Sequence, residues 1–495
     1  MMNVNALRLL LFLFLCLPNL AAAGLAERVQ EHRFANGLTL LVVARHDSPT
    51  LAAYITLRVG SVDETSENRG VAHLLEHMLF KGTKTLGTKD YRREKPLLDA
   101  IEAAGAEYDR LRLAPQQNAS RIAELEAQLK ILQEQRRQYD VPQEVAELYA
   151  RNGGVGYNAF TSKDLTSYVI ELPANKLELW AAIESDRMRH SIFRDFYTER
   201  QVVMEERRRS YDTNPDGLLY ENLLATAFTL HPYRHPIIGW MSDIDHLSLE
   251  KTRAFHDRYY VPANTVIALV GDIDFAAARE MVGRYFGKIP AGMPALPIVA
   301  GEPEQRGEKR TSISFDAEPR VMIAYHKPTL PSRDDYIFDL MSGLLGEGRT
   351  SRLYQTLVVK EQLAATISTF TAPGSRYDNL FVIKATPRAP HTSQEVETAI
   401  YRELKRLAEE EVGAAELERV RNRLRVDFLR NLQKNSALAH MLTYYQTVAG
   451  DWRYLVRYDE ELASITPAEI QAAARRYFTP ENRTVITLAR TGGGE

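Results

Sequence analysis

The stretch GVAHLLEHMLFKGT, which spans Gly70–Thr83, places two histidines and a glutamate within five residues. His73 and His77 are four residues apart, so on a helix both imidazole rings project from the same face. Neutral imidazole is a preferred ligand of zinc. Glu76 adjoins the second histidine, where its carboxylate can exchange a proton with a water molecule on the metal. The spacing predicts a zinc site of the inverted H-x-x-E-H kind.

A catalytic zinc site also needs a third protein ligand and one open position. The stretch YTERQVVMEERRRSYDTNP offers three candidates, namely Glu199, Glu205 and Glu206. Glu199 and Glu206 are seven residues apart, which is two helical turns, so they share a face that Glu205 does not. Two histidines on an apolar helix are otherwise more often core residues, and this second stretch supplies the context that the motif needs.

Composition limits the classes of protein that the chain could represent. The 495 residues are 45% hydrophobic and 26% charged, which is typical of a folded soluble protein with two or more domains. The formal net charge of -3 gives no reason to expect nucleic acid or an anionic membrane as a partner.

Residues 1–23 have the pattern of a secretory signal peptide. One arginine precedes an apolar run, Leu9–Leu17, and small residues at Ala21 and Ala23 predict cleavage after Ala23. A retained membrane anchor is the alternative, but this run is too short to span a bilayer. We therefore expect a periplasmic or secreted protein without stable membrane insertion.

The cysteine content restricts the metal ligands. Cys16 is the only cysteine, and it lies inside the predicted signal peptide. The mature chain would then have no disulfide and no thiolate ligand. Any metal must be held by histidine, aspartate or glutamate.

Two segments that are 218 residues apart have similar sequences. RYYVPANTVIALVGD begins at Arg258 and RYFTPENRTVITLAR begins at Arg476, and each reads as a helix end, a Pro/Asn turn and a β-branched strand. The repetition indicates an internal duplication. We predict an α+β protein with two homologous α/β domains and mixed sheets, residues 24–290 and 310–495, joined by a Pro/Gly-rich linker at 291–309.

Residues from about 93 to 152 fit neither half of this duplication. They are polar and helical, and Ile122, Leu125, Leu129 and Leu132 follow coiled-coil spacing. We predict an inserted helical hairpin. A solvated arm without a function of its own and an element that shapes access to the site are both open interpretations.

The chain resembles the pitrilysin/insulinase family of zinc peptidases, particularly the mitochondrial-processing-peptidase branch and its bacterial relatives. The resemblance extends over nearly the whole mature chain, and the motifs follow the order of the family. It rests on five stretches: GVAHLLEHMLFKGT, GYNAFTSKDLTSY, TERQVVMEE, HPYRHPIIGW and GEGRTSRLYQTL.

The resemblance assigns a role to each residue of the motif. It implies that His73, His77 and Glu206 hold one zinc ion and that Glu76 is the general base on zinc-bound water. Glu199 would orient a ligand histidine from outside the metal's own ligand set. Glu205, the remaining glutamate of this helix, would face solvent or form a salt bridge.

The resemblance also implies where substrate binds. The segment Asn158, Ala159, Phe160 and Thr161 matches the edge strand along which the family binds an extended peptide. Backbone pairing at such an edge gives little side-chain selectivity. Peptides or unfolded polypeptide segments are therefore the expected substrates.

A second histidine pair stands in HPYRHP, where His231 and His235 are also four residues apart. Two prolines make a regular helix unfavourable there, so the argument for a shared face does not apply. We predict a structural turn rather than a second metal site.

The second half departs from the family pattern at two positions. Complete members carry an arginine and a tyrosine that hold substrate, and the matching positions here are Val358 and Ala365. Neither side chain can donate a hydrogen bond. The family works as a clam shell of four such domains, so this chain is expected to be half of one and to need a homologous, non-identical second subunit.

These inferences favour a zinc endopeptidase subunit that requires a partner. A non-catalytic structural or assembly subunit of the same family is the alternative, although such members commonly lose the zinc residues. A zinc hydrolase of non-peptide substrates is a weaker third hypothesis, because the NAFT strand suits backbone pairing.

Overall fold

A computed structural model describes residues 24–491 of the chain. The predicted signal peptide lies outside the described residues. Within residues 24–491, no helix has both the length and the apolar character that crossing a membrane requires.

The first half is built on a six-stranded mixed sheet with the spatial order β1-β2-β6-β3-β5-β4. Strands β2 and β6 are parallel, and the other neighbours are antiparallel. Strand β4 is an edge strand that pairs with β5. The strands are β1 (Val29–Arg33), β2 (Thr39–Ala44), β3 (Thr50–Leu57), β4 (Val155–Thr161), β5 (Thr166–Pro173) and β6 (Thr265–Gly271).

The second half repeats this topology in a five-stranded sheet of order β7-β11-β8-β10-β9. Its one parallel pair, β7 with β11, corresponds to β2 with β6, and β9 corresponds to the edge strand β4. Strands β6 and β11 begin 218 residues apart, so the topology confirms two homologous α/β domains. The strands are β7 (Lys309–Phe315), β8 (Arg320–Lys327), β9 (Ala364–Ala372), β10 (Asn379–Pro387) and β11 (Arg483–Arg490).

Helices surround both sheets. Those of the first half are α1 (Val71–Leu79), α2 (Tyr91–Arg112), α3 (Ala119–Arg137), α4 (Glu144–Arg151), α5 (Leu177–His190), α6 (Phe196–Arg207), α7 (Pro215–Ala227), α8 (Met241–Asp245), α9 (Leu249–Tyr259) and α10 (Phe275–Phe286). Those of the second half are α11 (Arg333–Leu345), α12 (Ser393–Glu409), α13 (Ala414–Gln433), α14 (Asn435–Val448), α15 (Arg453–Ser464) and α16 (Pro467–Tyr477).

The two halves exchange helices across their interface. Helix α7 of the first half packs on the second sheet, where Leu219 and Leu223 share a core with Ile486 of β11. Helix α14 of the second half packs on β3 and β6 of the first sheet, and Leu442 joins that core. Because each sheet is covered on one face by the other half, its central strands, such as β2, β6 and β8, are buried on both faces and read as continuous apolar runs.

The predicted hairpin consists of α2 and α3, which pack through Ile101, Ala104, Leu125 and Leu129. Its helices occupy residues 91–137, a shorter range than the sequence suggests. Residues 144–151 form the separate helix α4, which contacts β4. Most of the predicted linker forms neither helix nor strand, and β7 begins at its last residue, Lys309. The domain boundaries themselves stay a prediction.

The exchange of helices predicts that the halves unfold together. Leu442 is fully buried in the shared core, so Leu442→Ala should lower the free energy of unfolding by about 2–5 kcal/mol. Urea titrations followed by far-UV circular dichroism and by tryptophan fluorescence should give one coincident transition at a lower midpoint. Leu296→Ala, at a side chain 71% exposed, is the control and should have little effect. Two separate transitions would contradict a shared core.

Candidate metal centre

Helix α1 presents the histidines because its apolar residues face the core. Leu74, Leu75 and Met78 are fully buried, which leaves His73, Glu76 and His77 on the opposite side. Gly70 is the N-cap residue of the helix, and its φ of 86° suits glycine. A side chain at this position would also lie 2.5 Å from the carbonyl oxygen of Ile238.

Glu64 caps the N-terminus of α1. Its two carboxylate oxygens accept hydrogen bonds from the backbone N–H groups of Gly70 and Ala72, each at 2.9 Å. A carboxylate here satisfies otherwise unpaired donors and interacts favourably with the helix dipole. The sequence analysis missed Glu64, because it lies outside the motif and acts through the backbone.

Helix α6 brings the third candidate ligand to the histidines. Glu206 Oε1 lies 3.6 Å from His73 Nε2, and Glu206 Oε2 lies 3.5 Å from His77 Nε2. One ligand atom from each residue lies within 4.8 Å of the others. Within residues 24–491, this is the one group of three such side chains that close together. Two imidazoles and a carboxylate are the donor set of a catalytic zinc site.

The surroundings favour a neutral His73 and a protonated His77, so His77 must release a proton when a metal binds. Burial lowers the pKa of His73 to about 4, so its ring is neutral near pH 7, which is the form that binds metal. Hydrogen bonds to Glu199 and Glu206 raise the pKa of His77 to about 9. The two carboxylates therefore stabilise positive charge at the point where the three side chains converge.

Glu199 stands behind His77 and does not join the group of three. Its Oε2 lies 3.4 Å from His77 Nδ1, the ring nitrogen that faces away from Glu206, and its Oε1 pairs with Lys81. Burial opposes ionisation of Glu199, but the hydrogen bonds with His77 and Lys81 lower its pKa. Glu199 can therefore fix the orientation of the His77 ring.

Glu76 lies beside the group of three, and the edge strand β4 holds its carboxylate. Thr161 Oγ1, at the end of β4, donates a hydrogen bond of 2.5 Å to Glu76 Oε2. Burial raises the pKa of Glu76. Along the same strand Asn158 is exposed and Ala159 is buried, so β4 offers a free edge next to a carboxylate that can exchange a proton.

A cavity of about 700 Å³ adjoins the site. Glu76, His77, Asn158 and Glu199 line it. Residues 140–146, which end the segment between the hairpin and α4 and form the first turn of α4, line it as well. The chain that follows the hairpin therefore borders the space beside His77.

The remaining candidates of the sequence analysis lie elsewhere. His231 Nδ1 accepts a hydrogen bond from the backbone of Tyr233, and His235 Nδ1 accepts one from Trp240. Neither histidine belongs to a three-donor group within the described residues. Glu205 is largely exposed and pairs with Arg208, as the sequence predicts.

The two positions that depart from the family pattern lie in the second half. Val358 is partly buried in the helical turn of residues 354–360. Ala365 is exposed near the start of the edge strand β9. Sequence reasoning also missed Lys81, although its position four residues after His77 could have indicated that both face Glu199.

Two family models match the chain. The model described as Insulinase (Peptidase family M16) matches residues 41–110 and 135–240. The model described as Peptidase M16 inactive domain matches residues 246–424. The unmatched residues 111–134 include the tip of the hairpin and most of α3. The family model therefore omits a narrower segment than the predicted insertion at 93–152.

Relatives and solved structures agree with these matches. The zinc protease PqqE of Helicobacter pylori is 27% identical over 92% of this chain and 91% of its own length. The crystal structure of a protease from Helicobacter pylori has a TM-score of 0.78 at 25% identity, over 93% of this chain and 99% of that one. The periplasmic protease PqqL of Escherichia coli has a TM-score of 0.68 at 16% identity; the match covers 94% of this chain and 48% of PqqL. The chain belongs to peptidase family M16, the insulinase family.

Proposed function

We propose that this protein is a zinc-dependent endopeptidase subunit that hydrolyses peptides or unfolded polypeptide segments. The observation that supports this most strongly is the convergence of His73, His77 and Glu206 within 4.8 Å, with Glu76 beside them. His73, His77 and Glu206 would hold one zinc ion. When bound, zinc supplies a Lewis acid that polarises the peptide carbonyl and lowers the pKa of a water molecule.

The residues of the chain perform the remaining steps. Glu76 accepts a proton from the attacking water and delivers it to the leaving amine. Thr161 holds the Glu76 carboxylate, and Glu199 holds the His77 ring. The free edge of β4, at residues 158–161, pairs with the backbone of an extended substrate and places a peptide bond beside Glu76.

The active assembly is proposed to contain a second, homologous subunit. Val358 and Ala365 leave this chain without side-chain donors at the positions where complete relatives hold substrate. The chain matches 48% of PqqL, which suggests that a full enzyme contains two such halves. A heterodimer whose partner carries arginine and tyrosine at these positions would complete the site. The subunit would work in the periplasm or outside the cell, as the sequence of residues 1–23 indicates.

Metal analysis of the purified chain should find one zinc per molecule. His77→Ala should lose most of the bound zinc, because two ligands remain where a catalytic site needs three. His246→Ala removes an exposed histidine outside the group of three and should keep full occupancy. Full zinc occupancy in His77→Ala would show that the assignment is wrong.

Substitutions of Glu76 and Glu199 should have different effects. Glu76→Gln should keep zinc and lower kcat by about 10²–10⁴-fold, because proton transfer is removed. Glu199→Gln should mainly weaken zinc binding, by roughly 10–100-fold. Peptide hydrolysis and zinc competition should be measured on both variants, with the exposed Glu205→Gln as the control. Equal loss of zinc in the two variants would argue against separate roles.

The isolated chain should cleave unstructured peptides poorly. Adding a homologous subunit with arginine and tyrosine at the two positions should raise the rate, since one such donor typically contributes about 10²–10³-fold. Val358→Arg combined with Ala365→Tyr should recover part of this gain in a homodimer of the chain. Fluorogenic peptide assays would test both, and rapid hydrolysis by the wild-type chain without a partner would contradict the proposal.

A further inference from the structure

Each of the two glutamates on α6 that face the histidines is followed by a buried arginine. Arg200 follows Glu199, Arg207 follows Glu206, and the two arginines are also seven residues apart. Their side chains are only 3% and 5% exposed. The helix therefore has two parallel rows, one of carboxylates toward α1 and one of guanidinium groups toward other elements.

Arg207 anchors the end of α6 that carries Glu206. Its guanidinium donates to both carboxylate oxygens of Glu221 on α7, at 2.7 and 3.1 Å, and to the carbonyl oxygen of Gly239 at 2.9 Å. The group also lies over the rings of Tyr211 and Trp240, 5.3 and 5.2 Å from their centroids. A planar guanidinium can make the forked pair and the ring contacts together, whereas a lysine ammonium cannot.

Arg200 anchors the other end of α6 in the same way. It donates to both carboxylate oxygens of Asp109 on α2, at 2.9 and 3.0 Å, and to the carbonyl oxygen of Leu247 at 2.7 Å. The Tyr197 side chain of α6 also lies against Gly105 of α2, where any side chain would collide with the tyrosine hydroxyl. The α2 helix of the hairpin therefore packs on the far side of α6 from the histidines.

We propose that Arg207 and Arg200 are positioning residues that set the zinc affinity of the site through Glu206. This inference rests on the proposed zinc site and adds residues that lie outside its ligands. The two pairs fix the rotation and tilt of one rigid helix, and a metal tolerates only a few tenths of an ångström in ligand distance. Loss of either forked pair would therefore displace the Glu206 carboxylate from the two histidines.

Zinc affinity of the full chain, measured by competition with a chromophoric chelator at fixed pH, tests the proposal without any need for turnover. Arg207→Lys and Arg200→Lys keep the charge but lose the fork, and each should bind zinc about 10–100-fold more weakly. Arg352→Lys is the matched control. Arg352 forms a similar forked pair with Glu416 in the second half, at 2.9 and 2.7 Å, so its change should leave zinc affinity as in the wild type.

A double-mutant cycle separates positioning from general destabilisation. In a Glu206→Gln background, Arg207→Lys should cause no further loss of zinc affinity, because it acts through the missing carboxylate. Equal losses in both backgrounds, or wild-type affinity in Arg207→Lys alone, would overturn the inference. If Arg207→Lys loses the far-UV circular dichroism of the folded chain, Glu221→Gln tests the same pair and leaves Arg207 in place. Absence of zinc binding by the wild-type chain would instead overturn the proposed function.

Discussion

The burial of α7 in the second sheet is the constraint on which the metal centre depends. Helix α6, the helical turn of residues 208–212 and α7 follow one another with little intervening chain. Because α7 packs on β11, β7 and β8, the end of α6 that carries Glu206 is held by a core of the other half. The second half therefore supports the site, although it contributes no residue to the group of three.

Packing of α1 and ion pairs of the α6 carboxylates together arrange the side chains of the site. The buried face of α1 leaves two imidazoles beside two carboxylates, and each carboxylate has a distinct set of partners. Glu206 faces both histidines, whereas Glu199 is shared between His77 and Lys81. Unpaired buried charges are costly, so these partners also keep each carboxylate in its place when no cation is present.

Much of the fold and of the candidate site could be predicted from local sequence. A spacing of four residues put His73 and His77 on one helix face, and a spacing of seven put Glu199 and Glu206 on another. The family resemblance selected Glu206 as the ligand, and the structure brings it to the two histidines. The offset of 218 residues predicted the repeated topology. The contacts of Glu64 and Thr161 with α1 could not be predicted, because they join segments that periodicity does not relate. The exchange of α7 and α14 is a property of packing between the halves, which no single segment encodes.

The second half repeats the fold but not the group of three donors, which within residues 24–491 occurs once. Helix α11 follows β8 as α1 follows β3, and it too carries a pair of side chains four residues apart, Asp335 and Asp339. Lys327 pairs with Asp335, and Tyr458 donates to Asp339 at 2.9 Å, while burial raises the pKa of Asp339 to about 7. These two aspartates are thus paired within the chain by a lysine and a tyrosine. Two halves with the same fold can therefore differ in chemistry. The first half carries the three candidate ligands, and the second half supports the helix that holds Glu206.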